Sequence, residues 1–241
     1  MSRLGRRNVG TRPVLEHVLL PIHPDGRKFV AGFILATLLL FLLWPPLGWV
    51  GVVASLWCYY FFRDPPRVTP LRPGLVVAPA DGLVVSVGPA VPPPELEMGP
   101  GTMTRIGIFL NVFDVHINRV PIAGTVERTR YHPGQFVNAS LDKASDVNER
   151  MAIRLACEDG AAVAVVQIAG LVARRIVCQV HDGQKVETGQ RFGLIRFGSR
   201  TDLYLPPSWS VLAIAGQRMV GGETIVADAR MAEPPLQGSV R

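Results

Sequence analysis

Apolar positions in the first third of the chain run without polar interruption. Residues 29–62 contain no charged side chain, and Lys28 and Arg63 bound the run. Trp44-Pro45-Pro46-Leu47-Gly48-Trp49 divides it. Proline lacks the N–H that a helix interior needs, so a turn is predicted near Pro45-Pro46 between arms at about Phe29–Leu43 and Leu47–Phe62. Each arm would be roughly 23 Å long at ~1.5 Å per residue, short of a ~30 Å bilayer core. The reading favoured first is a hairpin of two short spanning helices, and the second is a re-entrant hairpin in one leaflet. A buried helical pair in a soluble core comes third, because soluble helices carry a polar stripe and Phe29–Leu43 has none. A cleaved signal peptide is not expected, since the apolar run begins late and no small-residue cleavage site follows it.

The pattern changes after Arg63. Asp64–Gly74 (DPPRVTPLRPG) has four prolines in eleven residues and reads as a stiff linker. Beyond it come short apolar stretches punctuated by Gly and Pro, among them Leu75–Ala78, Leu83–Val87, Arg105–Leu110, Ala161–Ile168, Arg175–Val180 and Arg191–Arg196. Their spacing and β-branched content predict a mainly β (α+β) protein, in which the apolar hairpin precedes a compact, sandwiched or barrel-like β domain. The one helical candidate in this part is Asp142–Glu149. The expected organisation is a basic N-terminus and hairpin over 1–63, a linker over 64–74 and a β domain over 75–241.

Charge sharpens this division. The formal net charge is +6, and residues 1–73 carry nine basic against three acidic side chains, while residues 74–241 carry sixteen of each. A neutral body argues against a nucleic-acid partner, which would select a basic stripe on the folded domain. Basic residues at both ends of the apolar run put both ends in the cytoplasm by the positive-inside rule, so the body is expected on the cytoplasmic side of the cell membrane. The same arginines suit anionic headgroups. Cys58, Cys157 and Cys178 form no C-x-x-C pair and predict neither a disulfide framework nor a zinc site.

Three segments have chemical potential. Pro79-Ala80-Asp81-Gly82 puts a carboxylate in a tight turn, which is also what an ordinary turn residue does. Asp114-Val115-His116-Ile117-Asn118-Arg119 collects an acid, a proton-transfer group, an amide and a cation, suited to an anion site or to a polar loop at a strand end. Arg191–Pro206 runs as an apolar strand into Gly198-Ser199, where glycine permits an unusual backbone beside a hydroxyl. Gly-x-Ser-x-Gly, the P-loop and H-E-x-x-H are absent. Neither Lys143 nor Lys185 lies in an apolar run that would lower its pKa, so carbonyl or amine chemistry here needs another prosthetic group.

Together these segments resemble the pyruvoyl-dependent phosphatidylserine decarboxylases in their shorter prokaryotic form. The match includes Phe61-Phe62-Arg63-Asp64-Pro65, Pro79–Gly82, Asp114–Pro121, Asn138–Ser145, Asn148-Glu149-Arg150, Gln167–Gly170 and Phe192–Pro206. The resemblance implies a proenzyme that cuts itself between Gly198 and Ser199 into chains 1–198 and 199–241. Ser199 would become the covalent pyruvoyl group, with no metal required. Decarboxylation of phosphatidylserine to phosphatidylethanolamine and CO2 would then proceed through a Schiff base. His116 matches the base and proton donor, Asp81 the carboxylate that orients it, and Asn118 and Arg119 are substrate-contact candidates. Larger relatives carry a second His where Arg119 stands, which leaves open whether His116 serves both cutting and decarboxylation. An archaetidylserine decarboxylase is an alternative with the same chemistry. A different class is a lipoyl- or biotinyl-like carrier module, suggested by Asp182–Gln190 and testable at Lys185. The oligomeric state, including a homo-oligomer, is left open.

Overall fold

The computed structural model describes residues 20–137, 147–170, 175–196, 198–231 and 236. The Asn138–Ser145 segment and most of the helical candidate Asp142–Glu149 lie outside the described residues. The chain divides into two compact units, 1–65 and 66–241.

The first unit is a pair of helices, α1 (Pro24–Leu43) and α2 (Pro45–Phe61). α1 begins five residues before the apolar run, because Pro24 takes a first-turn position and the His23 ring accepts from Asp25 N at 3.3 Å. Its 20 residues span roughly 30 Å, enough to cross a bilayer core, where the arm expected from sequence was short. The prolines open α2 rather than forming the turn, and extended Trp44 (φ −163°) makes the corner. Thr37 and Ser55 share a 2.9 Å hydrogen bond between the helices. At the open end His23 N donates to Phe62 O at 2.9 Å and Asp64 N to Pro21 O at 2.7 Å. Leu35, Leu38, Leu39, Leu42, Leu43, Val50 and Val53 point outward and are exposed. Among the described residues α1 is the helix long and apolar enough to cross a membrane, and its exposed apolar face is consistent with membrane anchoring.

The second unit is antiparallel β structure. In chain order its strands are β1 (Leu75–Val77), β2 (Gly82–Ala90), β3 (Met103–Leu110), β4 (Ile117–Arg119), β5 (Gly124–His132), β6 (Arg150–Cys157), β7 (Ala162–Ala169), β8 (Ile176–Cys178), β9 (Lys185–Val186), β10 (Arg191–Ile195), β11 (Ser199–Leu205), β12 (Ser210–Val211), β13 (Arg218–Met219) and β14 (Ile225–Asp228). Eight form one sheet in the order β13-β2-β3-β11-β7-β6-β5-β9, and two three-stranded sheets run β4-β10-β8 and β1-β14-β12. The principal core lies among them and includes Val76, Ile108, Val165, Phe192, Leu203 and Val226. No closed barrel forms among the described residues, a correction to the barrel-like expectation. The eight-stranded sheet ends on β13 and β9, each only two residues long, which gives its edges too few ladder groups to pair with each other.

On the outer face, a 3-10 turn at Pro94–Leu96 is fastened to β6. Glu95 receives Arg150 Nε at 2.6 Å and Nη2 at 3.1 Å, and Leu96 packs on Ala152, Val166 and Tyr204. Burial alone would raise the Glu95 pKa, but the Arg150 fork, a backbone hydrogen bond and nearby positive charge together hold the carboxyl below its ordinary value. A depressed folded-state pKa contributes stability above the unfolded value of 4.5 that is lost as pH falls through the folded one. Glu95→Gln is therefore expected to cost about 2 kcal/mol at neutral pH. The gap from the parent should close in acid, as checked by urea melts of the detergent-solubilised protein at both pH values.

Candidate active site

β11 is the central strand of the eight-stranded sheet. It pairs over its full length with β3 and with β7 from Ser199 to Tyr204, so Ser199 sits opposite Leu110 on one side and Ala169 on the other. Ser199 is fully buried, and its Oγ has no hydrogen-bond partner among the described residues. Leaving a buried hydroxyl unmatched costs about 1–3 kcal/mol, which makes the position unusual in a folded core. Gly198, immediately before it, has φ +63°, a left-handed conformation that favours glycine. A Cβ there would meet no neighbour within 4 Å, so the requirement is conformational and not spatial.

β4 and β10 bring the histidine to this peptide. They pair as Ile117↔Leu194 and Asn118↔Gly193, and Ile195 N donates to His116 O at 3.3 Å. β10 then leads to Gly198, whose N–H donates to His116 Nε2 at 3.3 Å. Nδ1 of the same buried ring lies 3.0 Å from the carbonyl oxygen of Asp114. In the neutral tautomer that satisfies both contacts, Nδ1–H donates to this carbonyl and the Nε2 lone pair faces the Gly198 peptide. The ring thus contacts the peptide immediately before Ser199.

The other expected residues occupy different positions. Asp81 accepts from Arg67 Nη2 at 2.6 Å and from Gly221 N at 2.8 Å. Burial raises its pKa, against the opposing pull of Arg67 and Gly221. The contacts seen at Asp81 are thus to Arg67 and Gly221, while a backbone carbonyl orients His116. Asn118 is fully buried, donating to Thr201 Oγ1 at 3.1 Å and accepting from Gln167 Nε2 at 2.8 Å. Arg119 is buried and donates to Gly189 O at 3.0 Å. Asn118 and Arg119 therefore brace β4 from within the fold. Lys185 lies in β9 opposite Thr125 and not at a hairpin tip, unlike the acylated lysine of a carrier module.

Sequence reasoning passed over the supporting residues. Asp114 was noted only as a member of its segment, yet its carbonyl fixes the His116 ring, and its carboxylate bonds Arg218 and accepts from Asn111 N at 2.9 Å. Gln167 and Thr201 complete a polar row beside Ser199, and the Gln167-Ile168-Ala169-Gly170 motif was the available signal for the first. Arg67 lay in the segment read as linker, but it reaches Asp81, and Val68 N donates to Glu223 at 2.7 Å. Among the described residues no group of three or more His, Cys, Asp or Glu side chains comes together to hold a metal ion.

Comparison with known proteins gives the family. The sequence profile of the phosphatidylserine decarboxylase family matches residues 54–227. A phosphatidylserine decarboxylase proenzyme of Cereibacter sphaeroides is 57% identical over 228 residues, covering 95% of this chain and 98% of the relative. Proenzymes of the same description from Nitrobacter winogradskyi (57% over 219 residues, 91% and 88% covered) and Paramagnetospirillum magneticum (54% over 226 residues, 94% of each) are similarly related. With the profile spanning the whole β unit up to β14 and these relatives matching nearly end to end, the chain belongs to the phosphatidylserine decarboxylase family.

Proposed function

We propose that this chain is a membrane-anchored, self-processing enzyme that converts phosphatidylserine to phosphatidylethanolamine and CO2 at a pyruvoyl group made from Ser199. The observation that carries the reading is the buried Ser199 Oγ, without a hydrogen-bond partner among the described residues and next to the carbonyl of Gly198. A nucleophile closed off from solvent has its own backbone as the first available electrophile. Ser199 Oγ attacks the Gly198 carbonyl carbon; the C–O ester bond forms as the C–N bond breaks, and the hydroxyl proton passes to the nitrogen. Removal of the Cα proton expels the Gly198 carboxylate and leaves dehydroalanine, and water then releases ammonia. His116 is the group suited to move these protons, because its Nδ1 is engaged by the Asp114 carbonyl and its Nε2 faces the Gly198 peptide.

Position 199 fits the product of that sequence. It is fully buried between Leu110 and Ala169, where a neutral ketone terminus is accommodated and an ammonium would be strongly disfavoured. When bound in this way the pyruvoyl group supplies an electron sink for loss of CO2 from an amino acid headgroup. His116 then holds the proton for the substrate carbon. Asp81, tied to Arg67, is assigned to support of the site's charge balance. Asn118 and Arg119 are assigned to its bracing, ahead of direct substrate contact. The helix pair over 1–63 would anchor the enzyme beside its lipid substrate. Basic residues on both flanks favour the catalytic unit on the cytoplasmic face of the cell membrane. Chains 1–198 and 199–241 would remain associated through the sheet.

Purified protein is expected to contain two chains. The smaller should have a blocked N-terminus and a mass about 17 Da below that of a serine-started peptide, through loss of ammonia. A single uncut chain in membranes that convert added phosphatidylserine would overturn the reading. Ser199→Ala should leave the chain whole on a denaturing gel. His116→Ala should slow cutting, decarboxylation or both by about 10²–10⁴-fold; normal rates for both would remove its proton-transfer role.

A further inference from the structure

The two-residue alternation of a strand sends Ser199 and Thr201 to one face of β11 and Arg200 and Asp202 to the other. The division is visible further along, where Leu203 and Leu205 enter the principal core and Tyr204 enters the outer cluster. Arg200 and Asp202 are both fully buried. Arg200 Nε donates to Asp202 Oδ1 at 2.5 Å and its Nη2 donates to Ser86 Oγ at 3.2 Å. Gly107, opposite Asp202 on β3, leaves the guanidinium its room: a Cβ there would lie 2.6 Å from Arg200 Nη2 and 2.7 Å from Ser86 Oγ. Buried ion pairs seldom add net stability, and the proposed chemistry at Ser199 uses nothing on this face. The pair nevertheless begins one residue after the scissile bond.

We infer that Arg200 is a positioning residue whose guanidinium, held by Asp202 and Ser86 over Gly107, keeps residue 199 in register once the chain has been cut. The inference rests on the proposed cut between Gly198 and Ser199. Before cutting, Gly198 tethers the start of β11 covalently. Afterwards residue 199 is a chain end, and chain ends fray. Drawing Arg200 out with it would take a fully buried guanidinium from its carboxylate and hydroxyl partners. Fraying therefore stops at residue 200, and residue 199 stays between Leu110 and Ala169 beside His116.

The test is hydrogen exchange on the full chain in detergent, in self-cut protein and in an uncut Ser199→Ala background. Arg200→Lys keeps the charge without the planar fork, Gly107→Ala keeps Arg200 but fills its space, and Ser86→Ala removes one hydrogen bond as the mildest change. In cut protein the amides of residues 200–203 should exchange about tenfold or more faster than in the cut parent, with a change under about threefold in the uncut background. Decarboxylation kcat should fall while KM stays near the parent value. Equal loss of protection in cut and uncut protein would make the pair merely structural and overturn the inference, as would unchanged protection in both. If the parent is cut and the variants match it, the inference alone fails. If the parent is never cut, the proposed function fails and takes the inference with it.

Discussion

The register of the central strand is the constraint on which the rest of this structure depends. β11 is paired on both sides from its first residue, and that residue is Ser199. A slip of one position would exchange the faces of the strand, turning Ser199 toward Ser86 and Gly107 and sending Arg200 into the principal core. The left-handed Gly198 immediately precedes the first paired residue of β11. His116 precedes β4, so the β4-β10 pairing and the β11 register together decide whether its ring meets the Gly198 peptide. The short edge strands suit the same end, since an open sheet needs no closure that would compete for the register of its centre.

Much of this was legible in the residues, and what was hidden was hidden for identifiable reasons. The apolar run marked the helix pair, but not the start of α1 at Pro24. Asp25, Arg27 and Lys28 break the hydrophobic pattern while still forming a polar first turn behind the His23 cap. β5 reads as Gly-Thr-Val-Glu-Arg-Thr-Arg-Tyr-His, too polar for an apolar scan, and is held by its long ladder with β6 instead. In the site, Gly198-Ser199 and His116 stood out by type and spacing. The Asp114 carbonyl beside its Nδ1 did not, because a backbone carbonyl leaves no trace in composition. Asp81, matched by resemblance to the orienting carboxylate, is seen to bond Arg67, fourteen residues earlier in the segment read as linker.

Burial at position 199 also limits which chemistry can create a new terminus there. Ordinary hydrolysis of the Gly198–Ser199 bond would leave an ammonium in a fully buried position opposite Leu110 and Ala169, where desolvation strongly opposes charge. That terminus would lose its proton or leave the sheet, and leaving would carry the reactive residue away from His116. Serinolysis followed by loss of ammonia avoids the conflict by making a terminus with no charge at all. On the opposite face the charges of Arg200 and Asp202 answer each other within the strand. Both faces at the start of β11 would thus tolerate burial if the proposed cleavage removed the covalent tether. In the proposed reaction, the closed position of Ser199 and the neutral prosthetic group it yields follow from one requirement: the strand must survive its own cleavage without moving.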